Sequence, residues 1–212
     1  MHKLEYYFDF LSPYSYFSWK NKDQFLKNQD ILIDLKPVVM GSLFNKHEMK
    51  GPGEIPAKRY YMLKQCFIYA SLNNISFNPP KNHPFNPLYA LRLATRSCAG
   101  ERQSEVIDLL MKSCWEDGIE LGEPEVLIEI LNKNNFDGKD LIEKTFSKEV
   151  KQELKQNIKS ALEDNCFGVP SFVVNHEVFW GNDSIPTLNL YLEGKLNNWN
   201  NELFETRIHG TL

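Results

Sequence analysis

Short apolar runs and one helix start dominate the first 36 residues. The aromatic segment Lys3–Phe10 and the β-branched segment Ile31–Leu35 both predict strands. Between them, Pro13 follows Ser12, a pairing typical of a helix start behind an N-cap, and the helix is expected to end near Lys27 or Asn28. This order predicts a strand–helix–strand unit with parallel strands and a right-handed crossover.

Strand character returns only near the other end of the chain. Ser171–Val174 and Val178–Trp180 flank Asn175–Glu177, whose composition indicates a tight hairpin. A last helix is expected to begin near Asp183 or Ser184. One economical arrangement places all four strands in a single sheet and makes the region between them an insertion.

The intervening region has helical periodicity. Apolar residues recur at i, i+3, i+4 and i+7 or at related spacings, which predicts amphipathic helices. The predicted faces are Leu63, Cys66, Phe67 and Ala70; Ile107, Leu110, Met111 and Cys114; Val126, Leu127, Ile130 and Leu131; and Val150, Leu154, Ile158 and Leu162. Residues 37–56 are expected to form a loop or short helical turns, and residues 77–87, with four prolines, a second loop.

Composition narrows the class of protein. The 212 residues carry 24 Lys and Arg against 28 Asp and Glu, a net charge of −4, which argues against a nucleic-acid partner. The sequence contains no apolar run long enough for a transmembrane helix, and the acidic residues Glu5 and Asp9 interrupt any signal-peptide core. We therefore expect a cytoplasmic protein without a membrane partner.

The cysteines and histidines match no metal or dithiol motif. Cys66, Cys98, Cys114 and Cys166 include no Cys-x-x-Cys pair, and we expect them to be buried thiols rather than disulfides. The five histidines have no metal-ligand spacing. No metal site is predicted.

Three segments combine a strand end with groups that could bind an anion or a peptide. Ser12 lies where a strand meets a helix N-terminus, although it could be an N-cap alone. Val169–Pro170 directly precedes a strand, and a cis proline there would expose the Val169 backbone for strand-like pairing, whereas a trans proline would not. Residues 180–183 could hold a carboxylate and an ammonium, or could simply form a turn and cap.

Two longer motifs lie near the ends of the chain. They are Tyr7-Phe8-Asp9-Phe10-Leu11-Ser12-Pro13-Tyr14-Ser15-Tyr16 and Phe167-Gly168-Val169-Pro170-Ser171-Phe172-Val173-Val174 with Phe179-Trp180-Gly181-Asn182-Asp183. Between them lie the helical segments Pro56–Leu63, Pro84–Arg92 and Trp115–Ile119. Together these segments resemble the 2-hydroxychromene-2-carboxylate isomerases, which are related to kappa-class glutathione transferases. The resemblance covers about residues 4–192.

The resemblance implies an α/β fold of the DsbA-like thioredoxin type, with a mixed four-stranded sheet and an inserted all-helical domain. The implied domains are residues 1–36 with 147–212, and residues 37–146 for the insertion. It also implies a homodimer. Ser12 would be the catalytic group that hydrogen-bonds the sulfur of glutathione. The other implied glutathione contacts are Val169, Pro170, Trp180, Gly181, Asn182 and Asp183.

The implied reaction uses glutathione as a reversible nucleophile toward an unsaturated aromatic carboxylate. The sequence departs from the family at Gln65 and Ile68, where an acidic residue and an arginine are common, and at Lys50–Gly53. Lys58 and His83 are the remaining candidates for contacting a substrate carboxylate or phenolate. A kappa-like transferase or peroxidase acting on other electrophiles, and a non-catalytic thioredoxin-fold binding protein, are the alternatives. A disulfide oxidoreductase is disfavoured because residues 12–15 contain no cysteine.

Overall fold

Four strands form one mixed sheet in the order β2-β1-β3-β4. The computed structural model describes residues 2–26 and 31–196. The strands are β1 (His2–Phe8), β2 (Ile31–Pro37), β3 (Ser171–Val174) and β4 (Glu177–Trp180). The two N-terminal strands are parallel, whereas β3 is antiparallel to both of its neighbours. This confirms the predicted four-stranded thioredoxin-like sheet.

Eleven α-helices surround or extend from this sheet in the described residues. They are α1 (Pro13–Lys20), α2 (Lys22–Leu26), α3 (Met40–Lys46), α4 (Pro56–Leu72), α5 (Leu88–Leu93), α6 (Arg96–Ala99), α7 (Gln103–Trp115), α8 (Pro124–Lys133), α9 (Gly138–Lys144), α10 (Lys148–Glu163) and α11 (Ile185–Leu192). The four predicted helix faces lie on α4, α7, α8 and α10. Within these described ranges, every helix is too short or too polar to span a lipid bilayer.

One buried cluster joins the sheet to the helices between β2 and β3. It contains Tyr6 and Phe172 from neighbouring strands and Trp115 and Leu127 from the helical region. Because a shared apolar core couples these elements, the helical region packs directly against the sheet. The division into residues 1–36 with 147–212 and residues 37–146 stays a prediction, and its last residues lie outside those described.

The first predicted helix is interrupted. The α1 helix ends at Lys20, and Asn21 forms its C-cap before α2 begins. The Asn21 amide donates hydrogen bonds to the Tyr69 hydroxyl at 2.8 Å and to the Asn182 side-chain oxygen at 3.2 Å. Long-range contacts therefore stabilise a break that helical periodicity does not reveal. The predicted end at Lys27 or Asn28 lies outside the described residues.

The predicted face of α4 is only partly correct. Cys66 and Ala70 are buried, but Phe67 is 51% exposed. Its ring makes an edge-to-face contact with Phe77, 5.1 Å between centroids, at the margin of the core. The apolar spacing thus identified the helix, while one of the four residues lies at its boundary with solvent.

Candidate active site

Ser12 occupies the N-terminus of α1 and is 4% exposed. Its backbone is extended, and its Oγ accepts the Ser15 N–H at 3.2 Å, so it is an N-cap as predicted. The same Oγ lies 3.3 Å from the Val169 carbonyl oxygen and donates its hydrogen there. This donor bond is longer than is usual between two oxygens. The hydroxyl proton of Ser12 is therefore held weakly and points toward the loop before β3.

The loop before β3 contains the predicted cis peptide between Val169 and Pro170. Val169 is 6% exposed, and its N–H reaches no acceptor within the described parts of the chain. Most backbone N–H groups in a folded protein have a partner, so one without an acceptor in the protein is open to a hydrogen bond with a bound molecule. The Val169 backbone therefore provides a donor suited to an extended peptide, directly beside the Ser12 hydroxyl.

The turn after β4 lies against this loop. The Gly181 N–H donates to the Pro170 carbonyl at 2.9 Å, and Gly181 has a φ of 92°, a conformation that favours glycine. The Trp180 indole covers Gly168 so closely that a Cβ there would lie 2.7 Å from the Trp180 Nε1. Trp180 also packs on Phe167, with ring centroids 5.0 Å apart. The chain therefore brings residues 168–170 and 180–181 together.

Asn182 and Asp183 differ in their availability. The Asn182 side-chain oxygen already accepts the Asn21 amide at 3.2 Å, which fixes the turn to the end of α1. Asp183 is exposed, and its charge is one of the influences that raise the pKa of Tyr14 to about 12. Burial is the largest of these influences. Asp183 is therefore the free anionic group of this turn and lies near the start of α1.

A cavity of about 380 Å³ lies beside the start of α1. Its lining is mostly apolar and is formed by Tyr14, Pro52, Ala57, Lys58, Tyr61 and Met62. Among the described residues, Lys58 takes part in none of the ion pairs, so its ammonium is available to an acidic ligand. The cavity therefore combines an apolar lining, two phenol rings and one cation.

His83, the other predicted substrate contact, is half-buried and engaged with the backbone. Its Nε2 lies 2.9 Å from the Leu11 carbonyl oxygen, immediately before Ser12. Burial lowers the pKa of His83, while the hydrogen bond to Leu11 acts in the opposite direction. The ring is therefore neutral near pH 7 and contacts the polypeptide that precedes the candidate catalytic serine.

All four cysteines are free and buried, as expected. Burial raises the pKa of Cys66, Cys98 and Cys166 to about 12. Cys166 precedes the cis-proline loop, but it packs in a cluster with Tyr7, Val169 and Val173. These thiols have the character of core residues rather than of nucleophiles.

Two residues of the site were not singled out from the sequence. Tyr14 lines the cavity, and its hydroxyl contacts the Cys66 thiol. Asp9 is completely buried behind Ser12, and its carboxylate accepts the N–H groups of Leu11 and Met40 at 3.0 and 2.8 Å. The sequence signal for Asp9 was a carboxyl group between two phenylalanines at the end of a buried strand.

The sheet order, the cis proline beside a helix N-terminus and the helices inserted between β2 and β3 define a thioredoxin-like protein in which serine lies at the helix start. A profile of the DSBA-like thioredoxin domain matches residues 3–193. The chain belongs to this family.

Curated relatives agree with the resemblance. The chain is 25% identical over 201 residues to glutathione S-transferase kappa 2 of Caenorhabditis elegans, covering 86% of this chain and 88% of the relative. It is 21% identical over 185 residues to 2-hydroxychromene-2-carboxylate isomerase of Pseudomonas putida, covering 86% and 90%. A solved structure of a 2-hydroxychromene-2-carboxylate isomerase superposes with a TM-score of 0.79 at 20% identity, covering 95% and 98%. The likeness to this structure establishes the fold, and the relatives indicate an enzyme.

Proposed function

We propose that this protein binds glutathione and acts as an isomerase of the 2-hydroxychromene-2-carboxylate type. The observation that carries the proposal is the pairing of a weakly held Ser12 hydroxyl with the unpartnered Val169 N–H. A peptide thiol lying along Val169 would place its sulfur beside the hydroxyl donor. Donors that are already oriented toward a developing or resident anion contribute strongly to catalysis.

Each part of glutathione has a matching group in this arrangement. The Val169 N–H and C=O can pair with the cysteinyl backbone, beside the cis Pro170. Asp183 can accept the γ-glutamyl ammonium, and the backbone of the turn containing Gly181 can receive the neighbouring carboxylate. The side chains of Trp180 and Asn182 shape this turn. We propose these residues, together with Ser12, as the glutathione site.

The cavity beside α1 is the proposed site of the second substrate. Its apolar lining suits an aromatic ring, and Lys58 can pair with a carboxylate. Glutathione would supply a thiolate that adds to the unsaturated ring and is eliminated after ring opening and rotation about a carbon–carbon bond, so that no thiol is consumed. Ser12 stabilises the thiolate before it adds and again when it is eliminated, and Lys58 keeps the acidic substrate in place.

A kappa-type glutathione transferase is the second candidate. The observation that favours it is the lining of the cavity, which has one cation among apolar groups and would admit many electrophiles. A transferase would retain the new carbon–sulfur bond in its product, whereas the isomerase breaks it again. A non-catalytic binding protein remains the third alternative.

We also propose a homodimer in the cytoplasm. The α4 helix exposes Leu72 by 77%, Tyr60 by 75% and Tyr61 by 63%, which is unusual for one helix of an isolated chain. Free buried cysteines suit a reducing compartment. Light scattering tests the dimer. Leu72→Asp should reduce the molar mass to that of a monomer, and Leu32→Asp, at a residue 58% exposed on β2, should not.

Calorimetric titration with glutathione, followed by turnover measurements, tests the proposed function. Binding is expected for the wild-type protein. A hydroxychromene carboxylate should then be isomerised with catalytic glutathione while free thiol stays constant. Stoichiometric loss of thiol with conjugate formation would favour the transferase, and absence of binding would contradict both enzymatic functions.

A further inference from the structure

The two peptide groups before Ser12 are hydrogen-bonded at both ends. In the first, the Phe10 carbonyl accepts the Trp115 Nε1–H at 3.0 Å, while the Leu11 N–H donates to Asp9 Oδ1 at 3.0 Å. In the second, the Leu11 carbonyl accepts from His83 Nε2 at 2.9 Å, while the Ser12 N–H donates to the Asp9 carbonyl at 3.1 Å. All four polar groups of these two peptides therefore have a hydrogen-bond partner, which fixes the orientation of both peptides.

Two of the three side chains that hold this segment, Trp115 and His83, come from distant parts of the chain. Asp9 also accepts the Met40 N–H at 2.8 Å, which ties the end of β1 to the start of α3. Trp115 is the last residue of α7 and is 1% exposed. His83 lies in the proline-rich loop between α4 and α5. The orientation of Ser12 is therefore set largely by residues outside its own helix.

His83 is itself held firmly. Its ring packs against Trp115, with centroids 5.5 Å apart. The two side chains that donate to the Phe10 and Leu11 carbonyls therefore support each other. The Arg59 Nη2, from α4, donates to the His83 carbonyl at 3.1 Å. Arg59 belongs to the same helix as Lys58, which lines the cavity. A short chain of contacts thus joins the cavity helix to the peptide that precedes Ser12.

The chemistry of this contact defines the state of the imidazole. A carbonyl oxygen can only accept, so His83 Nε2 must carry the hydrogen. Burial and the nearby Arg59 charge both lower the pKa of His83, which keeps the ring neutral. A neutral ring with its hydrogen on Nε2 has one orientation that satisfies Leu11, and the packing on Trp115 supports that orientation.

We propose that His83 is a positioning residue that fixes the Leu11–Ser12 peptide and so aims the Ser12 hydroxyl at the thiol sulfur. This role replaces the substrate contact predicted for His83 from the sequence, and it rests on the proposed function. Displacement of a catalytic donor by about 1 Å can reduce turnover by roughly 100-fold. In this proposal, loss of the His83 hydrogen bond to the Leu11 carbonyl permits a displacement of this kind.

The test compares His83→Ala with His83→Gln. The glutamine amide can reach the Leu11 carbonyl from nearly the position of Nε2, whereas alanine cannot. We expect His83→Ala to raise the pKa of the thiol of bound glutathione, measured from the ultraviolet absorbance of the thiolate. It should also lower kcat by roughly 10- to 100-fold with little change in KM for the acidic substrate. His83→Gln should restore most of the wild-type thiol pKa and most of the wild-type kcat.

A Ser12→Ala background distinguishes failure of the positioning role of His83 from failure of the proposed function. If His83 acts through Ser12, His83→Ala should not raise the thiol pKa further when Ser12 is absent. A higher KM for the acidic substrate with an unchanged thiol pKa would overturn the positioning role and restore the substrate contact. Equal losses in the alanine and glutamine variants would also overturn it. If Ser12→Ala alone leaves the thiol pKa unchanged, the proposed function fails instead.

Discussion

Asp9 should make the stability of the folded protein depend on pH, and the direction of this dependence follows from the shift in its pKa. Burial raises the pKa of its carboxyl group to about 6, from an ordinary value of 3.8, although two backbone N–H groups oppose this shift. Between about pH 4 and pH 6 the folded protein therefore binds a proton that the unfolded chain has released. This group's contribution to stability falls as the pH rises through that window, and a shift of this size corresponds to about 3 kcal/mol.

Asp9→Asn removes this dependence. The amide has one acceptor oxygen, so either Leu11 or Met40 loses the partner of its N–H, at a cost of about 1–3 kcal/mol. The buried charge is lost at the same time, which offsets much of that cost near pH 7. We therefore expect a small net change near neutrality. Between about pH 4 and pH 7, the free energy of unfolding should decline by about 3 kcal/mol less in the variant.

Denaturant unfolding at a series of pH values measures this difference. Asp117→Asn is the matched control, because Asp117 is exposed, and it should retain the wild-type pH dependence. The same decline in the wild-type protein and in Asp9→Asn would refute the reasoning. It would mean that Asp9 ionises in the folded protein as it does in the unfolded chain.

Two further predictions concern the packing around the site. Gly168→Ala places a Cβ 2.7 Å from the Trp180 Nε1 and should destabilise the fold by about 1–3 kcal/mol and weaken glutathione binding. In Gly53→Ala, where the added Cβ has nothing within 4 Å, both properties should be nearly unchanged in unfolding and calorimetric experiments. The four buried thiols should react with Ellman's reagent only after the protein is unfolded. Rapid reaction of any of them in the native protein would contradict their assignment to the core.

The helix start after β1 and the hairpin between β3 and β4 depend on neighbouring residues, so the sequence could predict them. The Ser12–Pro13 pair gave the helix start, and the Oγ of Ser12 indeed caps the Ser15 N–H. The hairpin between β3 and β4 turns at Asn175 and His176, whose φ values of 51° and 65° are of the kind that asparagine tolerates well. The predicted β1 continued to Phe10, but the strand ends at Phe8, where the following residues turn toward Trp115 and His83.

The contacts that complete the site could not be predicted from one sequence. His83 is 72 residues from Leu11, and Trp115 is 105 residues from Phe10. No local pattern pairs such residues, because the insertion's packing alone brings them together. The cis peptide between Val169 and Pro170 could be predicted, since it depends on adjacent residues. The sequence could not separate a substrate contact at His83 from the positioning role that we propose for it.

Ser12→Ala compared with Ser15→Ala tests the central claim most directly. Both changes remove a buried hydroxyl at the start of α1, Ser12 from the N-cap and Ser15 from the first turn, but the Ser15 Oγ has no hydrogen-bond partner in the described structure. The measured quantity is glutathione-dependent turnover, with the pKa of the bound thiol recorded in parallel. We predict that Ser12→Ala lowers turnover by about 100- to 1,000-fold and raises the thiol pKa, while Ser15→Ala retains near wild-type values. Full glutathione-dependent turnover in Ser12→Ala would show that Ser12 is only a helix cap and would contradict the account.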